Sequence, residues 1–223
     1  MESEQLLSIL SVAGRLKTCP RHCWLTPTPQ NERVAAGMDE PEGVRDGGYR
    51  RESVAEHSWR LALMAMLLGS EPEFAGCDVD RVIRMCLIHD LGEAFTGDIP
   101  TFVKTEAEDA REEDLFTAWV DGFPEPQRGQ WRALLDEMDA QQTTEAKLYK
   151  ALDKLEAVIT HDECNLSTWL PLEYDLQRTH GTRQVAFSPT LTRLKAAMDD
   201  WTRAKIEAEG AQDVPEKSPG TGT

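Results

Sequence analysis

The apolar run Val82, Ile83, Met85, Cys86, Leu87, Ile88 ends in His89 and Asp90. A helix that buries such a stripe delivers an imidazole and a carboxylate together, against the core, where the chain turns into Leu91-Gly92-Glu93. Polar groups in that position need partners, and an adjacent His and Asp can share one metal ion. The dipeptide alone decides little, since His161-Asp162 repeats it. Its distant companions carry more weight: His57 in Ser53-Val54-Ala55-Glu56-His57-Ser58 and Asp153 in Lys150-Ala151-Leu152-Asp153-Lys154-Leu155-Glu156. Each lies in a segment with helical periodicity.

That periodicity recurs along the chain. Leu6, Leu7, Ile9, Leu10, Ala13 and Leu16 predict a helix over 4–17, stopped by Thr18-Cys19-Pro20. Ser53-Val54-Ala55-Glu56 reads as a capping box that starts a helix at Ser53. Leu61, Met64, Ala65 and Leu68 then follow His57 at helical spacing, so its imidazole points along the buried stripe. Asp78 caps the helix that ends at His89-Asp90. Two amphipathic helices with acidic outer faces follow over 105–122 and 125–140, and another runs from Thr143 to about Cys164. On that last one, His161 and Asp162 read as a helix-end histidine and an exposed acid. Ser188-Pro189 starts a final helix with Leu191, Leu194, Ala197, Met198 and Trp201 on one face. Alternating β-branched segments are scarce, so the expected fold is all-α: one domain over 1–205, a long loop or insert over 26–51 rich in Pro, Gly and charge, and a disordered tail over 206–223.

The formal net charge of -16 excludes sequence-independent binding to polymeric nucleic acid, which requires a basic surface. A small anionic substrate is compatible with it, because a bound cation and a few arginines reverse the field locally. No apolar run approaches the ~20 residues that span a bilayer, and Met1-Glu2-Ser3-Glu4 lacks the basic flank of a signal peptide. Five scattered cysteines, an odd number, indicate reduced thiols in a cytoplasm. Cys19 and Cys23 have no second cysteine pair with which to build a structural zinc site.

Two imidazoles and two carboxylates form a mixed nitrogen and oxygen set. Such a set suits Co, Mn, Fe, Ni, Zn or Cu better than Mg or Ca, which prefer oxygen throughout. Asp153 also has a plainer reading, a helical aspartate paired with a neighbouring lysine. Glu93 lies four residues after His89 and three after Asp90, on their face if the stretch is helical. It is the candidate general acid/base; otherwise it is an exposed helix-end glutamate. Arg21 is the candidate phosphate clamp, because a guanidinium fork engages two phosphate oxygens; otherwise it is a surface arginine.

The order His, His-Asp, Asp on successive helices resembles the HD-domain metal-dependent phosphohydrolases. The segments 52–57 (Glu-Ser-Val-Ala-Glu-His), 89–94 (His-Asp-Leu-Gly-Glu-Ala), 96–101 (Thr-Gly-Asp-Ile-Pro-Thr) and 152–156 (Leu-Asp-Lys-Leu-Glu), with Val103-Lys104, narrow it to HD-domain 5'-deoxynucleotidases. The resemblance implies a cytoplasmic, usually dimeric helical enzyme that removes the 5'-phosphate from deoxyribonucleoside monophosphates with a divalent transition metal. It implies His57, His89, Asp90 and Asp153 as metal ligands, and Glu93 as acid/base. Arg21 and Trp24 would hold phosphate and sugar, and Asp98 would bond the deoxyribose hydroxyl. Arg21-His22-Cys23-Trp24 departs from the Arg-x-Gly-Trp or Arg-Trp of many relatives, and the insert follows it directly. Two alternatives keep the fold: hydrolysis of another nucleotide or small phosphate ester, and a non-catalytic nucleotide-binding scaffold. A di-iron oxygenase would need further histidine ligands, and His22, His161 and His180, the only ones to spare, have no ligand context. A cyclic-dinucleotide phosphodiesterase would need a Gly-Tyr-Pro motif, which the chain lacks.

Overall fold

Apolar residues three and four apart gather on one side of a helix, and burying that side is what holds each helix in place. A computed structural model describes residues 1–25 and 50–210. Helices α1 (Ser3–Ala13), α2 (Val54–Leu68), α3 (Val79–Ile88), α4 (Glu93–Thr96), α5 (Glu106–Asp121) and α6 (Gln127–Ala140) are followed by α7 (Thr144–Glu163), α8 (Glu173–Thr179), α9 (Thr182–Val185) and α10 (Pro189–Gly210). The starts at Ser53, Asp78, Thr143 and Ser188 all fall where the sequence puts them. Ser53 and Glu56 form the reciprocal capping box, and Asp78, Thr143 and Ser188 each accept a bond from a first-turn backbone N–H.

Three helices make the centre. Leu61 and Ala65 of α2, Val82 and Met85 of α3, and Leu148, Leu152 and Leu155 of α7 are fully buried, each large aliphatic side chain contributing about 1.5–3 kcal/mol. The helix expected over 4–17 divides into α1 and a 3-10 turn over Gly14–Lys17. Only Leu16 in that turn is buried, while Leu6, Leu7 and Leu10 stay exposed.

One element is not helical. Strands β1 (Pro20–Leu25) and β2 (Arg50–Ser53) pair antiparallel with Trp24 opposite Arg51 and Pro20 opposite Ser53. This small ribbon ties Arg21 and His22 to the start of α2. The expected insert falls outside the described residues over 26–49, and the expected tail does so over 211–223; α10 itself continues past 205 to Gly210. Its buried side is also displaced from the apolar row in the sequence: Leu191, Lys195, Met198 and Thr202 face inward, and Trp201 is 42% exposed. Lys195 faces inward because its ammonium bonds the carbonyls of Arg178 and Gln177 at the end of α8.

Candidate metal centre and adjoining pocket

His57, in the second turn of α2, is 0% exposed. His89 and Asp90 follow the last turn of α3, and Asp153 is in the middle of α7. Because those three helices pack together, their polar residues meet in a buried junction. His57 Nε2 lies 3.2 Å from His89 Nε2, 3.7 Å from Asp90 Oδ2 and 3.5 Å from Asp153 Oδ1. His89 Nε2 lies 3.0 Å from Asp90 Oδ2 and 3.8 Å from Asp153 Oδ1. Asp153 also meets both neighbouring lysines, with Lys154 Nζ at 3.0 Å and Lys150 Nζ at 3.3 Å from Oδ2. Its two readings are therefore compatible: one carboxylate oxygen pairs with lysine and the other faces the imidazoles.

The far nitrogens of the two rings decide what the near ones offer. His89 Nδ1 must donate to the Cys86 carbonyl, 2.8 Å away, and His57 Nδ1 meets the Glu156 carboxylate. When neutral, both rings then aim an Nε2 lone pair into the cluster, beside two carboxylate oxygens. Four electron-pair donors this close repel one another unless a cation lies among them, so the residues fit a divalent ion. Without one, the cluster takes up a proton. Burial and Arg21 act against the His57 imidazolium, but Glu156 and Asp153 outweigh them and raise its pKa to about 9.

Glu93 opens α4 and is 7% exposed. Its Oε2 is buried with no hydrogen-bond partner, which marks a carboxyl group turned towards something other than protein. Burial first, then the charges of Asp90, Asp98 and Glu112, push its pKa up to about 11. Gly92 keeps helical angles, φ -57° and ψ -33°, within the hydrogen-bonded turn that links α3 to α4, so nothing in its conformation requires glycine. That need arises at Gly97, whose φ of 79° suits glycine; it ends α4 and sends the chain on through Asp98.

Arg21 is partly buried and its Nη1 is shared between Glu52 at 2.9 Å and Glu156 at 3.3 Å. Asp98 Oδ2 accepts a bond from the His22 backbone N–H at 3.2 Å. Arg21 and Asp98 line one pocket together with His22, Phe102 and Glu173. Trp24 does not line it: the Arg51 guanidinium sits 3.9 Å over its ring, as their pairing across the ribbon requires.

Glu156 has no assigned part in the sequence reading, yet it is fully buried and accepts from His57, from Arg21, from Arg60 Nε at 2.6 Å and from Thr160 Oγ1 at 2.8 Å. The available signal was its position one turn after Asp153. The reading of Asp162 as exposed is corrected. It is 2% exposed and accepts from Thr202 Oγ1 at 2.8 Å, because α10 packs along α7 at this point. His161 is buried as well, its Nε2 3.3 Å from Glu173.

The family model described as "HD domain" matches residues 42–195. The human protein named 5'-deoxynucleotidase HDDC2 is 29% identical over 214 residues, 95% of this chain and 89% of that one. The mouse protein of the same name is 31% identical over 160 residues, 71% of this chain and 69% of that one. A solved structure titled as a predicted metal-dependent phosphohydrolase from Magnetospirillum magnetotacticum MS-1 is 28% identical, with a TM-score of 0.68 covering 91% of this chain and 95% of that one.

Proposed function

Since the chain belongs to the HD-domain family, we propose that it is a hydrolase that removes the 5'-phosphate from deoxyribonucleoside monophosphates with a divalent transition metal. The observation that carries this reading is the convergence of His57, His89, Asp90 and Asp153, on three helices, beside the orphaned carboxyl oxygen of Glu93. The relatives named 5'-deoxynucleotidase supply the substrate class.

His57, His89, Asp90 and Asp153 would hold the ion, and their mixed donor set favours Co or Mn over Mg. A divalent ion bound there supplies Lewis acidity and positive charge beside the phosphoryl group. Glu93 holds a proton at a buried carboxyl. It serves proton transfer between the attacking water and the 5'-oxygen that departs as the phosphorus–oxygen bond breaks. Arg21 clamps the remaining phosphate oxygens through its Nε and Nη2, since only Nη1 is committed to Glu52 and Glu156. Glu156 also accepts from His57, so a single carboxylate fixes both the clamp and a metal-holding ring. Asp98, with one oxygen on His22, keeps the other for the deoxyribose hydroxyl.

Phosphate release from 5'-deoxynucleotides, 5'-ribonucleotides, 3'-nucleotides and sugar phosphates, with protein reloaded with Co or Mn, tests the function. A preference of about tenfold or more for 5'-deoxynucleotides is expected, equivalent to roughly 1.4 kcal/mol. Metal bound at stoichiometry with no release from any nucleotide would sink the reading.

The working unit is proposed to be a homodimer in a cytoplasm. Trp59, Leu63, Met66 and Leu67 form a row along the outer side of α2 and are 64%, 37%, 57% and 67% exposed. An apolar row of this kind on a strongly acidic protein suits a self-complementary contact across a twofold axis. Light scattering should give twice the chain mass for the native protein and the single chain mass for Leu67→Glu. A monomeric native protein overturns the assignment. Cys19, Cys23, Cys77 and Cys86 are free thiols, in keeping with a reducing compartment.

A further inference from the structure

We propose that the pocket beyond Arg21 and Asp98 receives the nucleobase of the substrate, recognised by Phe102 and His22, with Glu173 as the buttress that holds His22 in place. This rests on the deoxynucleotidase reading. If Arg21 takes phosphate and Asp98 the sugar hydroxyl, the pocket that both residues line is where the rest of the nucleotide must go.

The lining suits a flat, uncharged heterocycle. Phe102 and the His22 ring meet edge to face, with centroids 5.2 Å apart and planes at 84°. They offer a base a surface to stack on and an edge to abut. Val158 of α7 and Leu176 of α8 add apolar wall. His180 also lines the pocket, and burial together with Lys154 lowers its pKa to about 4, so it presents a neutral ring. A second anionic group is poorly matched, because Arg21 is already balanced by Glu52 and Glu156, while Asp98 and Glu173 bring negative charge. A sugar alone would gain little from the aromatic and aliphatic walls.

His22 is held in a defined orientation. Glu173, only 3% exposed, accepts from His22 Nε2 at 2.7 Å and from the Leu170 backbone N–H at 2.5 Å, and lies 3.3 Å from His161 Nε2. Burial opposes its charge, but the His161 imidazole beside it and the bonds from His22 and Leu170 hold its carboxyl well below the usual range. It therefore accepts, and His22 Nε2 donates. His22 Nδ1 is left without a protein partner among the described residues, free to accept an N–H from a base. His22 stands at the variable position of the relatives' Arg-x-Gly-Trp pattern, and the departure itself, Cys23, lines the same pocket, so both bear on selectivity and leave the metal-holding set intact.

The test uses thymidine and deoxyadenosine, products that carry the base and are not hydrolysed, with 2-deoxyribose 5-phosphate as the base-free ester. Calorimetric affinity for the two nucleosides should fall about tenfold in Phe102→Ala and in His22→Ala, the loss of one stacking or edge contact. The ratio of kcat/KM for dTMP over 2-deoxyribose 5-phosphate should fall by a similar factor. Phe102 is 38% exposed, so its truncation tests the pocket even if His22→Ala fails to fold. Unchanged nucleoside affinity and an unchanged ratio in Phe102→Ala overturn the base pocket. If nucleoside binding weakens as expected but neither ester releases phosphate, the pocket stands and the hydrolytic reading fails.

Discussion

Asp90→Asn is expected to abolish stoichiometric metal retention and to lower kcat/KM roughly thousandfold, the consequence of losing several kcal/mol of charge stabilisation at the phosphoryl group. Asp90 Oδ2 is 3.0 Å from His89 Nε2 and 3.7 Å from His57 Nε2. It is therefore closer to His89 than Asp153 Oδ1, at 3.8 Å, and it faces His57 as well. The charges of His89 and His57 outweigh its burial and hold its carboxyl well below the usual range, so the group meets a cation fully ionised. Asparagine keeps the shape and one neutral oxygen but removes the charge. Two imidazoles and the Asp153 carboxylate remain, a weaker set. Elemental analysis after dialysis reads the metal, initial rates read the turnover, and circular dichroism checks that the helices persist. Full occupancy with native turnover would remove Asp90 from the ligand set.

The sequence allowed this site to be read because helical periodicity sets direction as well as class. The capping box at Ser53 fixes the phase of α2, and that phase turns His57 inward with Leu61 and Ala65. The apolar stripe of α3 does the same for His89 and Asp90. Glu156 was not legible as a partner: its one local signal, a position one turn after Asp153, does not by itself tell it from an acid on a solvated helix face. Its part is visible only once α2 and α3 are packed against α7 and the Nδ1 of His57 requires an acceptor. The β1–β2 ribbon was illegible for a related reason: Trp24 finds Arg51 across a long intervening segment, and short strands carry little pattern of their own. In α10 the apolar row gave the wrong phase because two polar residues on the other side, Lys195 and Thr202, answer buried acceptors at the end of α8 and at Asp162. Such pairings between distant elements are not encoded in local spacing.

Glu93→Gln is expected to leave metal stoichiometry intact and to lower turnover by about a hundredfold to ten-thousandfold, the usual contribution of a positioned acid or base. Glutamine fills the same space but neither gives up nor takes a proton at working pH. The metal-free protein should show a second effect with a defined sign. Burial first, and then Asp90, Asp98 and Glu112, push the Glu93 carboxyl up from the ordinary 4.5 to about 11 in the fold. Between those values the folded state binds a proton that the unfolded chain has released, so this group lowers stability progressively as pH rises. Glutamine removes that slope. With chelator present, the melting temperatures of native protein and variant should nearly coincide at about pH 5 and separate by several degrees at about pH 9, the variant melting higher, for a difference on the order of 1–3 kcal/mol. Parallel melting across that range would mean that Glu93 is already ionised in the fold and holds no proton to transfer. Full turnover in the variant would assign the proton transfer to another group. Loss of turnover together with divergent melting ties the orphaned oxygen of Glu93, buried beside Asp90, to the chemistry of the site.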